Sequence, residues 1–287
     1  MMGLAEPVAV VAHDAGAANI MLAWLEAEES AGTRAVMAGP AQELWHAKFG
    51  NTPLCESVDQ ALDGSAALLS GTGWAATIEH DARIAARERG IESIAVIDHW
   101  VNYRERFERD GVTVLPDRVW VTDLEALAIA QRTLPEVVAE LKPNAYLQEQ
   151  AAGAGPVPAD GDLLFFAEPA RADWGQGLPG EFQALEFLYS HAVLAGVPED
   201  TPLRIRLHPS DPAGKYDEWL SRHPSATLDQ SPDVSSALAS ARFAAGMNSA
   251  ALAIALAAGR STIVALPPAA PPCVLPHAGL LHLRDRV

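Results

Sequence analysis

The stretch Pro7-Val-Ala-Val-Val-Ala-His-Asp-Ala-Gly-Ala-Ala-Asn19 decides how this chain folds: an apolar run empties into His13 and Asp14, and small residues then open a helical pattern. A strand facing water on one side alternates apolar and polar positions, so the unbroken run predicts a strand covered on both faces. Open α/β sheets place ligands beyond the carboxyl ends of such strands, which is where His13 and Asp14 fall. The same order recurs later. Pro202-Leu-Arg-Ile-Arg-Leu-His208 runs into Pro209 and Ser210, and Arg242-Phe-Ala-Ala-Gly-Met-Asn248 runs into Ser249.

Working outward, further apolar runs predict strands at 34–38, 66–70, 93–98 and 118–122, with helical patterns at about 17–29, 40–49, 75–89 and 124–132. Alternation of this kind implies a parallel sheet and a Rossmann-like first half. From Gln148 to Gly161 the sequence has too little apolar periodicity for an element and several helix breakers, which marks a boundary. Alternation then resumes, with strands expected at 162–167, 203–208, 226–229, 242–247 and 261–266 and helices at 179–195, 214–222, 233–240 and 249–258. The expectation is an α/β protein of two Rossmann-like domains, 1–150 and 151–287, facing across a cleft. The proline-rich run from Leu266 to His277 suits neither a helix nor a central strand. It reads either as a wrap across the interdomain surface or as a loop over the last strand.

The 287 residues are 49% hydrophobic, enough for a well-buried core, and carry 20 Lys and Arg against 37 Asp and Glu. The resulting formal charge of −17 opposes phosphate backbones and anionic membranes, so no nucleic-acid partner is expected. A phosphate-bearing ligand must be held by local groups. Cys55 and Cys273 have no metal-ligand spacing, and their scarcity fits a reducing compartment. Neither a signal peptide nor a membrane span is read at the amino terminus, giving a cytoplasmic expectation.

Several constellations carry possible chemistry. His13 and Asp14 read as a general base, or a base with its orienting carboxylate. Adjacent residues leave a strand in opposing directions and need not touch, and either residue could instead cap the following helix. Gly71, Thr72 and Gly73 form a strand-to-helix turn whose amides could approach a ligand oxygen; the other reading is a tight turn with Trp74 packed on the sheet. In Ile94-Ala-Val-Ile-Asp98-His-Trp-Val-Asn-Tyr-Arg104, Trp100 and Tyr103 offer flat faces to a sugar ring. Asp98, His99 and Arg104 offer hydrogen bonds or charge there. This segment reads as acceptor binding, with subunit contact in a homodimer as the other possibility. In the second half Arg206, His208, Ser210 and Lys215 could hold phosphate without metal, against a core histidine with Lys215 in solvent. Asn248 or Ser249 could cap the small-residue helix that stops at Gly259.

On these residues the chain resembles nucleotide-sugar enzymes of the GT-B fold. His208-Pro209, and Asn248-Ser249 before the helix ending at Gly259, look like the His-Pro and Ser motifs of bacterial sialyltransferases, capsule transferases and glycerophosphotransferases. The resemblance implies a metal-independent glycosyltransferase of surface glycan biosynthesis, with no cofactor beyond its nucleotide-sugar co-substrate. It implies donor contacts from His208, Ser210, Asn248 and Ser249, beside Arg206 and Lys215 as read from the residues above, glycan or small-molecule acceptor contacts from the first half, and deprotonation of the acceptor by His13 or Asp14. The better-known pattern carries a ribose-binding Glu five residues after Ser. Here that position is Ile254, which makes a CMP-sugar or another binding mode the implied alternative to a uridine-type donor. A hydrolase or epimerase of the same fold, and a non-catalytic nucleotide-sugar-binding protein, are the competing readings.

Overall fold

The structure, a computed structural model, describes residues 3–27, 32–170 and 172–287. The chain divides into two compact units, Met1–Tyr146 and Leu147–Val287.

Unit 1 runs β1 (Val8–Ala12), α1 (Ala15–Ala27), β2 (Thr33–Met37), α2 (Gly39–Phe49), α3 (Val58–Leu62), β3 (Ala67–Ser70), α4 (Ile78–Arg89), β4 (Glu92–Val96), a short hairpin of β5 (Glu108–Arg109) and β6 (Val112–Thr113), β7 (Arg118–Val121), α5 (Leu124–Thr133) and β8 (Val138–Leu141). Its main sheet has the order β2-β1-β3-β4-β7-β8 with every neighbouring pair parallel. The pleat sends Val8, Val10 and Ala12 into one apolar cluster and Ala9 and Val11 into another on the opposite face, all at 0% exposure. Both faces are therefore covered, and this is why the strand reads as a continuous apolar run. Each of the three buried valines stabilises the fold by roughly 1.5–3 kcal/mol relative to exposure.

A further helix, α6 (Ala145–Gly153), spans the division between the units. Unit 2 continues with β9 (Asp162–Phe166), α7 (Gly180–His191), β10 (Leu203–Arg206), α8 (Asp217–Arg222), β11 (Ala226–Leu228), α9 (Val234–Ala239), β12 (Ala241–Gly246), α10 (Ala251–Ala257), β13 (Ser261–Val264) and β14 (Leu281–His282). Its sheet has the order β11-β10-β9-β12-β13-β14, again parallel throughout.

The expected strands all form, within a few residues at their ends. The last two positions of the first expected helix, 28–29, lie outside the described residues. The stretch read as lacking an element instead carries α6; none of its residues is buried, so no apolar stripe announced it. The edge strand β8 and the short α3 and β14 were also not expected. The proline-rich run is held within unit 2 by Arg284, whose guanidinium donates to the carbonyls of Pro267, Pro268, Ala270 and Pro271.

In each sheet the chain leaves the first strand to one side and later returns to the other, which creates a topological switch point. It lies between β1 and β3 in unit 1 and between β9 and β12 in unit 2. Parallel register brings the carboxyl ends of these strands to one edge. Val11 pairs with Ser70 in the first sheet, and Phe166 pairs with Arg206 in the second.

Candidate functional site

At the unit 1 switch point, His13 and Asp14 touch, a contact that strand geometry alone leaves open. Strand β1 ends at Ala12, so both residues lie in the turn, and His13 Nδ1 stands 2.6 Å from Asp14 Oδ1. Asp14 Oδ2 accepts the Trp74 amide at 2.9 Å, fixing the carboxylate from the neighbouring strand end. An ionised carboxylate only accepts, so Nδ1 carries a proton, and in the neutral ring Nε2 is the nitrogen with the lone pair. That nitrogen faces Gly39, where φ is +50° and a Cβ would stand 2.5 Å from it. Glycine at position 39 satisfies the left-handed backbone and, lacking a Cβ, lets the His13 ring pack close against it.

Beneath the pair lies Glu79 of α4, only 1% exposed. Its Oε1 accepts the His13 amide at 3.1 Å and its Oε2 the Gly73 amide at 2.8 Å. Burial raises its pKa, with the two amides and Arg83 opposing and Asp14 reinforcing. A Cβ on Gly71 or Gly73 would collide with these carboxylates. The glycines therefore admit Glu79 and Asp14, and the Gly73 and Trp74 amides serve those carboxylates where a ligand oxygen was expected.

The remaining first-half residues are largely spent on structure. Thr72 is 1% exposed, donates to Val96 O and accepts from Arg106, so it presents nothing to solvent. Tyr103 is buried in a core cluster with its hydroxyl unpartnered, and its pKa is raised by burial first. It offers no face to a sugar. Arg104 pairs with Glu136 at 2.6 Å. Trp100 is half-buried, donates to Asp123 at 2.9 Å and lies against the His99 ring. Asp98 pairs with Arg106 at 2.9 Å and stands over Gly16 in the first turn of α1, where a Cβ would collide with it. Trp74 is 49% exposed with the Arg109 guanidinium over its ring, and is not packed on the sheet.

In unit 2, His208 Nδ1 accepts from the Ser210 amide at 3.1 Å and lies 2.7 Å from Ser210 Oγ. A backbone N–H can only donate, so Nδ1 is the acceptor and the proton sits on Nε2. Burial lowers the His208 pKa, Asp211 opposing and Lys215 assisting, which keeps the ring neutral near pH 7. It is not bonded to a carbonyl as a core histidine would be. Lys215 is neither a free phosphate ligand nor solvent-exposed: its Nζ lies 2.6 Å from Asp211 and 2.8 Å from Glu181. Burial pushes its pKa down, yet these two carboxylates hold it above its ordinary value. Asp211 also accepts the His208 amide and Glu181 the Ala170 amide, so the three charges brace the loops after β9 and β10. Arg206 is likewise committed, to Asp229 at 2.5 Å and the Ser231 carbonyl. Asn248 Oδ1 accepts the Val274 amide, and Ser249 Oγ accepts the Ala251 amide at the start of α10, although the cap position itself is Ala250.

Sequence reasoning missed Glu168. The register pairs Phe166 with Arg206 and Phe165 with Ala245, so equal steps beyond the strands bring Glu168 level with His208 and with Asn248. Its Oε1 accepts the Asn248 amide at 2.8 Å, which bridges the switch point. Burial raises its pKa to about 7 against that single hydrogen bond. Phe166-Ala-Glu168-Pro has the same strand-into-polar order that exposed His13, and was the available signal. Glu79 lay hidden as an ordinary acidic residue in a helix's first turn. Among the described residues no group of three or more His, Cys, Asp and Glu is placed to hold a metal ion, and no helix is long and apolar enough to cross a membrane.

No protein-family model matches the chain, and no curated protein matches it. Solved structures do. The UDP-GlcNAc 2-epimerase of Neisseria meningitidis bound to UDP-GlcNAc matches with a TM-score of 0.58 at 12% identity, covering 90% of this chain and 82% of that one. The UDP-GlcNAc 2-epimerase of Methanocaldococcus jannaschii matches with a TM-score of 0.59 at 9% identity, covering 90% and 83%. A Listeria monocytogenes protein assigned as a UDP-N-acetylglucosamine 2-epimerase matches with a TM-score of 0.61 at 13% identity, covering 91% and 79%. At these identities the likeness is one of fold: an α/β protein of two parallel-sheet units, GT-B-like.

Proposed function

We propose that the chain is a nucleotide-sugar enzyme in which unit 2 binds the nucleotide and unit 1 supplies proton transfer. The observation that carries this reading is the His13–Asp14 pair, with the carboxylate anchored by Trp74 and the His13 ring partly exposed at the strand end. A neutral imidazole of that tautomer takes a proton from a hydroxyl, and the adjacent carboxylate steadies the imidazolium that results. His208, of the other tautomer, presents Nε2–H. It suits a phosphate oxygen on which charge develops as the sugar leaves. Asn248, next to Ser249, stands level with it, and no metal or cofactor is invoked.

Two outcomes share this chemistry. In glycosyl transfer the proton comes from an acceptor hydroxyl, in keeping with the His-Pro and Ser motifs of the transferases that the sequence resembles. In hydrolysis or epimerisation, water or a proton of the sugar itself takes the acceptor's place. That second reading is favoured by the internal use of Thr72, Tyr103 and Arg104, which removes much of the anticipated acceptor surface. The three similar solved structures named above carry epimerase names.

A thermal-shift panel of UDP-, GDP- and CMP-sugars tests the common core, since a ligand at about 100 times its Kd stabilises by about 2.7 kcal/mol. Silence across the panel would remove the proposal. Following the binding sugar by NMR, with and without added acceptor saccharides, then separates a new stereoisomer from a free sugar or a transferred product.

A further inference from the structure

We propose that Glu168 is a ligand contact of unit 2, meeting a phosphate oxygen of the bound nucleotide as a neutral carboxylic acid after taking a proton from solvent. This rests on the nucleotide-binding reading of unit 2. Glu168 stands at the switch point, level with His208 and Asn248, and one of its oxygens is engaged by the Asn248 amide. Its other oxygen has no hydrogen-bond partner among the described residues. Left ionised, it would place a negative charge in the row that has to receive an anion.

Among the described residues, the cations of the neighbouring strand end are already committed, Lys215 to Asp211 and Glu181 and Arg206 to Asp229. His208 contributes a neutral N–H and no charge. A carboxyl near its midpoint at neutral pH resolves the conflict by protonation, since burial has already removed most of the preference for the charged form. In the step itself, one solvent proton adds to the carboxylate and the resulting O–H donates to a phosphate oxygen. No covalent bond to the ligand forms or breaks.

The groups around Glu168 leave this titration distinct. Cys273, on the proline-rich run, has its pKa raised by burial first and by Glu168 in addition, and so stays protonated. Lys215 is held ionised by its two carboxylate partners. His208 is held neutral above pH 7.

The test is isothermal titration of the full chain at pH 8 in two buffers of different ionisation enthalpy. The probe is UDP-N-acetylglucosamine or, if that is silent, whichever GDP- or CMP-sugar gives the largest thermal shift. Such sugar-esterified phosphates lack a second acidic proton near neutrality. The expected result is uptake of about one proton per ligand, with affinity falling roughly tenfold per pH unit above about 7. In Glu168→Gln, whose amide both accepts from Asn248 and donates to phosphate, uptake should vanish and affinity become independent of pH.

Binding by the wild type with no uptake, or with proton release as for a carboxylate accepting ribose hydroxyls, overturns the inference and leaves the nucleotide-binding reading standing. Silence across the panel overturns both. The wild-type measurement alone decides these outcomes should the variant fail to fold.

Discussion

The two switch points are built alike and wired oppositely. In unit 1, two carboxylates, Asp14 and Glu79, stitch neighbouring strand ends together through the amides of His13, Gly73 and Trp74, and the histidine keeps its proton on Nδ1. In unit 2 one carboxylate, Glu168, spans the gap through a single amide, and the histidine keeps its proton on Nε2. The same residue types at equivalent edges thus give an acceptor in one unit and donors in the other. The difference lies in which neighbouring group each ring meets, a carboxylate in the first case and a backbone N–H in the second.

The largest effect that could break this contrast is expected from Asp14→Asn. Its amide cannot serve as the same anionic acceptor for Nδ1–H, so turnover should fall about 10²- to 10⁴-fold. Nucleotide affinity should stay near wild type, whereas His208→Ala should weaken affinity first. Equal loss of affinity in both, measured by calorimetry, would mean that the units do not divide the work.

Next in size is the pH dependence of stability. Glu168 has its folded pKa raised from 4.5 to about 7, so its contribution is complete at low pH and is lost as pH rises through that window. The loss amounts to roughly 3 kcal/mol. Denaturation at pH 5 and pH 8 should show a decline in the wild type that is smaller by about that amount in Glu168→Gln. Parallel declines would equate the Glu168 bridge with an ordinary surface carboxylate.

Gly39→Ala sharpens the unit 1 side. A methyl group at a positive φ and against Nε2 should cost roughly 1–3 kcal/mol of stability and most of the turnover, read by thermal melting and rate. The smallest effect is expected from Ser210→Ala, less than about tenfold in nucleotide affinity, because the backbone N–H keeps His208 in its tautomer without the hydroxyl. Nitrogen chemical shifts of the two rings offer a direct check, since the protonated and bare nitrogens should be exchanged between His13 and His208.

Much of the architecture was legible because parallel strands buried on both faces leave long apolar runs, as from Val8 to Ala12. Elements without that burial left no such trace. Edge strand β8 places Val138 and Leu141 in solvent and Glu140 among Arg118 and Lys142, while α6 buries nothing. At the sites, strand ends located His13, His208 and Asn248 correctly, since position along a strand is a local property. Which side chains consume one another is not local. Lys215 meets Glu181 34 residues away in sequence (215 − 181), and Thr72 meets Arg106 at the same spacing (106 − 72).

Asp98 over the first turn of α1 has a consequence for selectivity. The positive end of that helix is where a phosphate would otherwise settle, and the protein's own carboxylate already stands over it, itself paired to Arg106. That helix end is thereby biased against polyanions, so a stray nucleotide gains little by lodging beside His13, and the edge proposed for proton transfer stays available to uncharged hydroxyl compounds.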